Sequence, residues 1–415
     1  MKVVLVNKSD ATGGAAVVSY RLMEALRGIG VDARMLVAEK LTDSPYISTA
    51  ASSVRLKYSF LAERLRIFVE NGFDRKSLFK IDTAYCGVDI SRHPWVREAD
   101  AVLLNWVNQG LLSLADIERL AATGKRIVWT MHDMWCMTGV CHHAGVCAHY
   151  RDGSACRDCP LMRGATAHRT WERKRALYER CDIRFVAVSR WLAGKARESG
   201  LLGDQRVEVI GNAFSLGEGN RPERSDRPEL RVLFGAARLD DPIKGWPRLM
   251  AALRVLADRY PDVARRVKLV TFGEIRDAAL LEEIPVRHEH LGRISASEIA
   301  GVYRSGDIVV SASEYETLPG TLVEGQAYGC VPVAFDAGGQ RDIIDHKRTG
   351  YIATAYDVED LAAGIVWAAE TLIDERGDQG VESIFGRMRR SVEEKFSADV
   401  IARRYLDIIG SDYGV

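Results

Sequence analysis

The sequence predicts an α/β protein of two Rossmann-like domains, each a parallel sheet flanked by helices. Three observations carry that expectation. The chain has 415 residues, too many for one ordinary core and enough for two domains of roughly 200 each. Short, wholly apolar runs alternate with amphipathic helical segments, the pattern of buried parallel strands joined by helices. This alternation opens at Val3–Val6 and again at Val232–Phe234, across the polar, proline-bearing stretch Arg221–Pro228, which reads as the seam. We therefore expect domains at 1–213 and 214–395, a cysteine-rich insert at 136–160, and a final helix over 396–415.

Composition narrows the function. With 47 % hydrophobic residues, and 57 Lys plus Arg against 57 Asp plus Glu, the chain is globular and has no global charge for a polyanion. Nucleic acid is not an expected partner. MKVVLVN is too short an apolar run for a signal peptide, and no window reaches the roughly eighteen apolar residues of a membrane span. A cytoplasmic protein is expected, at most peripheral to the inner membrane.

In the first domain, strand Val3–Val6 leads through Gly13-Gly14 into a helix whose apolar face is Leu22, Met23, Ala25 and Leu26. Gly28–Gly30 stops it, and strand Ala33–Val37 completes a β-α-β start. A glycine turn there suits a phosphate, and Glu39 at the end of the second strand raises a dinucleotide enzyme. The turn reads T-G-G-A-A, however, not G-x-G-x-x-G. Val54–Asn71 is a helix with Leu56, Phe60, Leu61, Leu65, Phe68 and Val69 apolar and Arg55, Lys57, Arg64 and Arg66 basic. It reads as a packed helix with a solvated side, or as one resting on anionic lipid.

Strand Ala101–Trp106, a helix over Leu114–Ala122 and strand Arg126–Thr130 follow. The last ends on His132, and functional groups of parallel sheets collect at such strand ends. Arg169–Arg180 is expected to be a basic, solvated helix, and Phe185–Val188 another strand. Between His132 and Arg169 five of the eight cysteines crowd together: Cys136, Cys141, Cys147, Cys156 and Cys159, with His142, His143 and His149 interleaved. In a reducing compartment disulfides are the weaker explanation. Cys156 and Cys159 form a C-x2-C bite that Cys141 and Cys147 would complete as a tetrahedral structural zinc site.

In the second domain the chain converges on Ser311–Gly339. An apolar strand (Ile308–Val310) leads through a loop holding Glu314 and Glu316 into a helix beginning near Pro319–Thr321, with Glu324 in or near its first turn. The N–H groups of Thr321, Leu322 and Val323 and the partial positive charge of that helix end suit a phosphate. Glu316 and Glu324, spaced E-x7-E, suit hydroxyls of a hexose and a ribose respectively. Together they imply a nucleotide sugar.

That E-x7-E spacing with Leu-Pro after its first Glu, followed by VPVAFDAGGQRDII and TGYI, resembles the donor-binding half of the retaining family 4 glycosyltransferases. The resemblance extends over nearly the whole chain and implies the GT-B arrangement, two Rossmann-like domains facing across a cleft. It implies that Gly13 and Gly14 approach the donor diphosphate, that His132 lies near the donor sugar, and that Arg238 and Lys244, in the K-G-W-P context, neutralise the two phosphates. Fixed cations there stabilise a departing nucleoside diphosphate without a metal, and the sequence has no D-x-D motif. The backbone at Arg293 and Ile294 is implied to meet the nucleobase, and the helix from about Phe396 to cross back to the first domain. The HDxW…TGxC…CxxCP insert is similar to one found in bacterial capsule and exopolysaccharide glycosyltransferases.

The expected activity is hexose transfer, with retention, to a hydroxyl of a glycan or lipid-linked acceptor, without a catalytic metal. A non-hydrolysing nucleotide-sugar epimerase and a catalytically idle carbohydrate-binding protein are the competing expectations.

Overall fold

The computed structural model describes residues 1–145, 147–152, 156, 159–217, 229–374 and 383–410. The chain divides into two compact units, Met1–Ala213 with Ala398–Val415, and Phe214–Ser397. The expected seam at Arg221–Pro228 lies outside the described residues, and the division itself falls between Ala213 and Phe214.

The first unit is built on β1 (Lys2–Ser9), β2 (Asp32–Glu39), β3 (Ile47–Thr49), β4 (Ala101–Leu104), β5 (Arg126–Met131), β6 (Ile183–Ala187) and β7 (Val207–Val209). They form one parallel sheet in the order β3-β2-β1-β4-β5-β6-β7. The uniformly apolar runs became strands covered on both faces: β4 and β6 are buried at every position. Helix α1 (Gly14–Gly28) places Leu22, Met23 and Leu26 in the same core as Ile401, Tyr405 and Ile409 of the C-terminal helix Ala398–Gly410. Arg126 Nη1 donates to the Ile409 carbonyl at 2.6 Å, and Thr130 Oγ1 lies 2.9 Å from the Tyr405 hydroxyl, tying that helix to β5.

The second unit holds β8 (Leu230–Arg238), β9 (Val267–Glu274), β10 (Arg287–His290), β11 (Ile308–Ser311), β12 (Val331–Phe335) and β13 (Tyr351–Ala353). Their order is β10-β9-β8-β11-β12-β13, again parallel throughout. Its core joins Val232, Phe234, Val310 and Val333 of the sheet to Leu253 of helix Trp246–Arg259 and Leu361 and Ile365 of helix Val358–Asp374. In each sheet the strand order reverses once, between β1 and β4 and between β8 and β11. Such a reversal opens a crevice beyond the C-terminal strand ends, because the connections leave in opposite directions.

Two sequence expectations are corrected here. Helix α2 (Ser53–Glu70) does not bury the predicted apolar face. It buries Leu56, Ser59, Glu63, Arg64 and Ile67, while Leu61, Leu65 and Val69 are 62 %, 62 % and 49 % exposed. The cause is polar. The Glu63 carboxylate accepts the N–H groups of Thr83, Ala84, Tyr85 and Cys86 and the Thr83 hydroxyl at 2.7–3.2 Å, and the Arg64 guanidinium pairs with Asp82. A carboxylate taking five hydrogen bonds can be buried where an unpaired one cannot.

The second correction concerns helix Thr166–Arg180, which is not a solvated basic face throughout. Lys174 is fully buried, and its ammonium donates to the carbonyls of Trp135 and Thr138 at 2.6 and 3.0 Å beneath the Trp135 ring. Burial pushes its pKa down to about 7. The helix thereby pins the turn that follows β5.

Candidate active site

In the second unit, the expected donor-binding residues other than Arg293 and Ile294 collect at the β8/β11 reversal. Arg238 is the last residue of β8, and its guanidinium faces Asp240 at 3.4 Å and Asp241 at 3.3 Å. A short 3-10 turn, Pro242–Lys244, then reaches Gly245 at φ 73°. A Cβ on Gly245 would lie 1.9 Å from the Ala312 carbonyl oxygen, so only glycine lets this turn press against the end of β11. That contact delivers Lys244 to Glu316: Nζ and Oε1 are 2.6 Å apart, and Ser313 Oγ donates to the same oxygen at 3.1 Å. Arg248 pairs with Glu314 at 2.5 Å, and the Tyr356 hydroxyl donates to the Glu314 carbonyl at 2.8 Å, bracing the loop from outside.

Glu316 is also held through its backbone, bridged to Gly338, where a Cβ would fall 1.9 Å from the Glu316 carbonyl. The loop leads into helix Gly320–Ala327, with Pro319 as its N-cap rather than inside its first turn. Thr321 and Val323 stand in the first turn as expected, and Glu324 follows, half-buried. Leu322 is corrected: its N–H donates to the Pro319 carbonyl at 3.1 Å and is committed inside the chain. Arg293 and Ile294 lie on the loop after β10, where the exposed Arg293 guanidinium pairs with Glu274 of β9.

In the first unit, Gly13 and Gly14 stand where β1 gives way to α1. Gly13 has φ 89°, and a Cβ on either residue would meet nothing within 4 Å. Packing within the unit therefore does not demand Gly14. His132 follows β5, and its Nε2 lies 3.0 Å from Asn105 Oδ1 at the end of β4. Burial pushes the His132 pKa down to about 4 against the opposing pull of Asp133, so the imidazole is neutral near pH 7.

Behind His132 lies a network that the sequence did not reveal. His142 bridges two carboxylates, Nδ1 to Asp133 Oδ2 at 2.7 Å and Nε2 to Asp82 Oδ2 at 2.8 Å. Burial would lower its pKa, but Asp133 and Asp82 raise it to about 9, giving a buried imidazolium between two anions. Asp133 further accepts from the Trp106 indole at 2.9 Å and the Trp135 N–H at 2.8 Å. The only sequence signal was the histidine interleaved with cysteines, which pointed to metal rather than to this role.

The insert 136–160 is described only in part, Val146, Gly153–Ala155, Arg157 and Asp158 lying outside the described residues. Within it Cys141 and Cys159 are hydrogen-bonded sulfur to sulfur. That bond, then burial and the nearby Cys156 and Cys147, push the Cys141 thiol up, while the same bond lowers Cys159. Burial also raises Cys156, to about 11. The four thiols influence one another electrostatically, though among the described residues no group of three or more His, Cys, Asp or Glu is arranged as a metal shell. A surface recess of about 550 Å³, lined by Glu118, Arg126, Arg180 and Asp182 among others, lies at the opposite ends of β5 and β6 and contains none of these residues.

Comparison with known proteins bears on the second unit most directly. Residues 231–371 match the family described as Glycosyl transferases group 1. Over 126 residues the chain is 32 % identical to a GDP-mannose-dependent alpha-mannosyltransferase of Mycolicibacterium smegmatis, covering 30 % of this chain and 32 % of that one. The chain spans well under half the length of the curated relatives it matches. Among solved structures, Anabaena Alr3699/HepE in complex with UDP aligns with a TM-score of 0.61 at 16 % identity, over 99 % of this chain and 100 % of that one. Trehalose-6-phosphate synthase OtsA aligns with a TM-score of 0.63 at 13 % identity, over 99 % of each chain. At such identities these structures establish the fold, which is that of the GT-B glycosyltransferases, and residues 231–371 form a glycosyl transferases group 1 domain within it.

Proposed function

We propose that this protein is a retaining glycosyltransferase of family 4 that moves a hexose from a nucleotide-diphosphate sugar to a hydroxyl of a glycan or lipid-linked acceptor in polysaccharide biosynthesis. The observation that carries this reading is the cluster at the β8/β11 reversal. Two cations, Arg238 and Lys244, a helix N-terminus and two carboxylates, Glu316 and Glu324, occupy the crevice end of one sheet, and Lys244 touches Glu316 at 2.6 Å. Cations and N–H groups suit a diphosphate, and carboxylates suit sugar hydroxyls.

In the proposed reaction the acceptor oxygen forms its bond to the anomeric carbon on the face that the leaving phosphate departs from. The bond from that carbon to the phosphate oxygen breaks, and the departing nucleoside diphosphate takes the acceptor proton. Arg238 and Lys244 stabilise the charge that builds on the diphosphate. His132 is neutral and its one N–H is held by Asn105 Oδ1, so it donates a hydrogen bond to the sugar or phosphate by exchanging that bond when the donor binds. Gly13 and Gly14 let the donor approach the backbone, and Arg293 and Ile294 bound the nucleobase.

The thiols Cys141, Cys147, Cys156 and Cys159 are assigned a structural zinc. Their soft donor chemistry and the Cys141–Cys159 pairing support it, and Cys159 with Cys156 supplies the two-residue bite.

The test is incubation with a panel of nucleotide sugars, beginning with GDP-mannose and UDP-glucose, which the names of a relative and of structures similar to this one print. Release of nucleoside diphosphate is expected. Interconversion of the sugar would show an epimerase, and no turnover of any donor would show a non-catalytic binder.

A further inference from the structure

We infer that helix α2 and the loop after it form a docking surface for an anionic lipid bilayer, through which the first unit rests on a membrane. Val54, Tyr58, Leu61, Leu65 and Val69 are 74 %, 74 %, 62 %, 62 % and 49 % exposed. At 3.6 residues per turn they fall within an arc of about 80° on one side of a helix roughly 27 Å long. Exposed Phe73 and Phe79 follow immediately in the chain. A single exposed leucine needs no explanation, but seven large apolar side chains in 26 consecutive residues, Val54 to Phe79, form a patch that water does not favour.

Charge identifies the occupant. From Ser53 to Lys80 the exposed ionisable residues are Arg55, Lys57, Arg75, Lys76 and Lys80, all cationic, and none has a carboxylate partner among the described residues. Of the acidic residues of the segment, Glu63 is buried under its five hydrogen bonds, Glu70, part-buried, pairs with Arg66 at 2.9 Å, and Asp74, part-exposed, accepts the Lys76 N–H at 2.8 Å, so five exposed cations stand against one part-exposed carboxylate. Lys57 flanks one edge of the apolar arc and Arg55 the other. An apolar stripe with cations at both margins matches acyl chains below anionic headgroups, the surface on which an amphipathic helix lies in the interfacial plane. No helix among the described residues is long and apolar enough to cross a membrane, so this contact is with the surface. A second copy of the chain would set the five cations against five more, and is disfavoured for that reason.

The buried side of α2 fixes this orientation. Glu63 and Arg64 are bound to the segment Leu78–Cys86, so the helix cannot roll its leucines inward without stripping five donors from Glu63 and Asp82 from Arg64. The inference does not depend on the transfer reaction, because vesicle binding is read without any donor.

Sedimentation of the full chain with vesicles tests it. Binding is expected to phosphatidylglycerol–phosphatidylcholine vesicles, weakened by salt, and not to phosphatidylcholine alone. The double variant Leu61→Asp with Leu65→Asp should lose at least about tenfold in partitioning while keeping its circular dichroism, since both side chains already face water. Arg55→Glu with Lys57→Glu should weaken binding to the anionic vesicles, and Leu41→Asp, at an exposed leucine outside the patch, should leave it unchanged. Equal binding to both vesicle types, no binding to either, undiminished binding by the double aspartate variant, or a dimer that this variant dissociates would each overturn the inference.

Discussion

Lys244 Nζ and Glu316 Oε1 lie 2.6 Å apart although 72 residues separate them in the chain. One belongs to the turn after β8 and the other to the loop after β11, and the two meet because Gly245 lets that turn close on the Ala312 carbonyl. The cation expected to receive a phosphate thus stands in contact with the carboxylate expected to receive a sugar hydroxyl.

Lys244→Ala is therefore expected to lower kcat by about 10²- to 10³-fold while KM for the donor changes far less, because the charge it meets develops as the diphosphate leaves. Steady-state kinetics with the donor that turns over checks this. A variant with wild-type kcat would remove Lys244 from the mechanism.

Glu324→Ala should weaken binding of the matching nucleoside diphosphate by about 10- to 100-fold, the loss of a charge-assisted hydrogen bond to ribose, with Arg238 and Lys244 left in place. Calorimetric titration of the nucleoside diphosphate measures it. An unchanged Kd would place the ribose elsewhere.

His132 makes stability depend on pH. Its folded pKa of about 4 lies below the ordinary 6.5, so as pH falls the unfolded chain takes up the proton first. Stability from this residue is full above pH 6.5 and declines toward pH 4, by up to about 3 kcal/mol. His132→Gln should show a shallower fall of Tm between those limits than the parent. Parallel curves would mean that His132 titrates normally.

Protein purified without chelator should carry about one zinc per chain, and Cys156→Ser with Cys159→Ser should lose it along with several degrees of Tm. Metal analysis decides the matter. Zinc in fewer than about half the molecules would count against the thiolate site.

Glu63→Ala should cost about 3 kcal/mol or more, because it leaves four backbone N–H groups and the Thr83 hydroxyl without their acceptor inside the first unit. Urea unfolding gives the number. A loss under about 1 kcal/mol would mean that water reaches the site.

The division between what could be read and what could not follows the range of the interactions. Strands such as Ala101–Leu104 and Val331–Phe335 were legible because burial on both faces leaves only apolar residues, and the glycine turns because backbone geometry admits little else there. Glu316 and Glu324 were legible as candidates because they flank a helix start that the local pattern already marks, whereas Arg238 and Lys244 stood out only through the family resemblance of their K-G-W-P context.

The chain by itself thus determined the alternation of strands and helices and the side chains carried to the strand ends, while the order of the strands, and with it the reversal in each sheet, came from the tertiary structure. Tertiary structure alone decided which side of α2 faces inward, that Lys174 is buried under Trp135, and that His142 is a cation between Asp82 and Asp133. Hydrophobic periodicity speaks for a residue's immediate neighbours, whereas the burial of a charge depends on partners such as Thr83 or Asp133 that other elements supply, and nothing in the local sequence announces them.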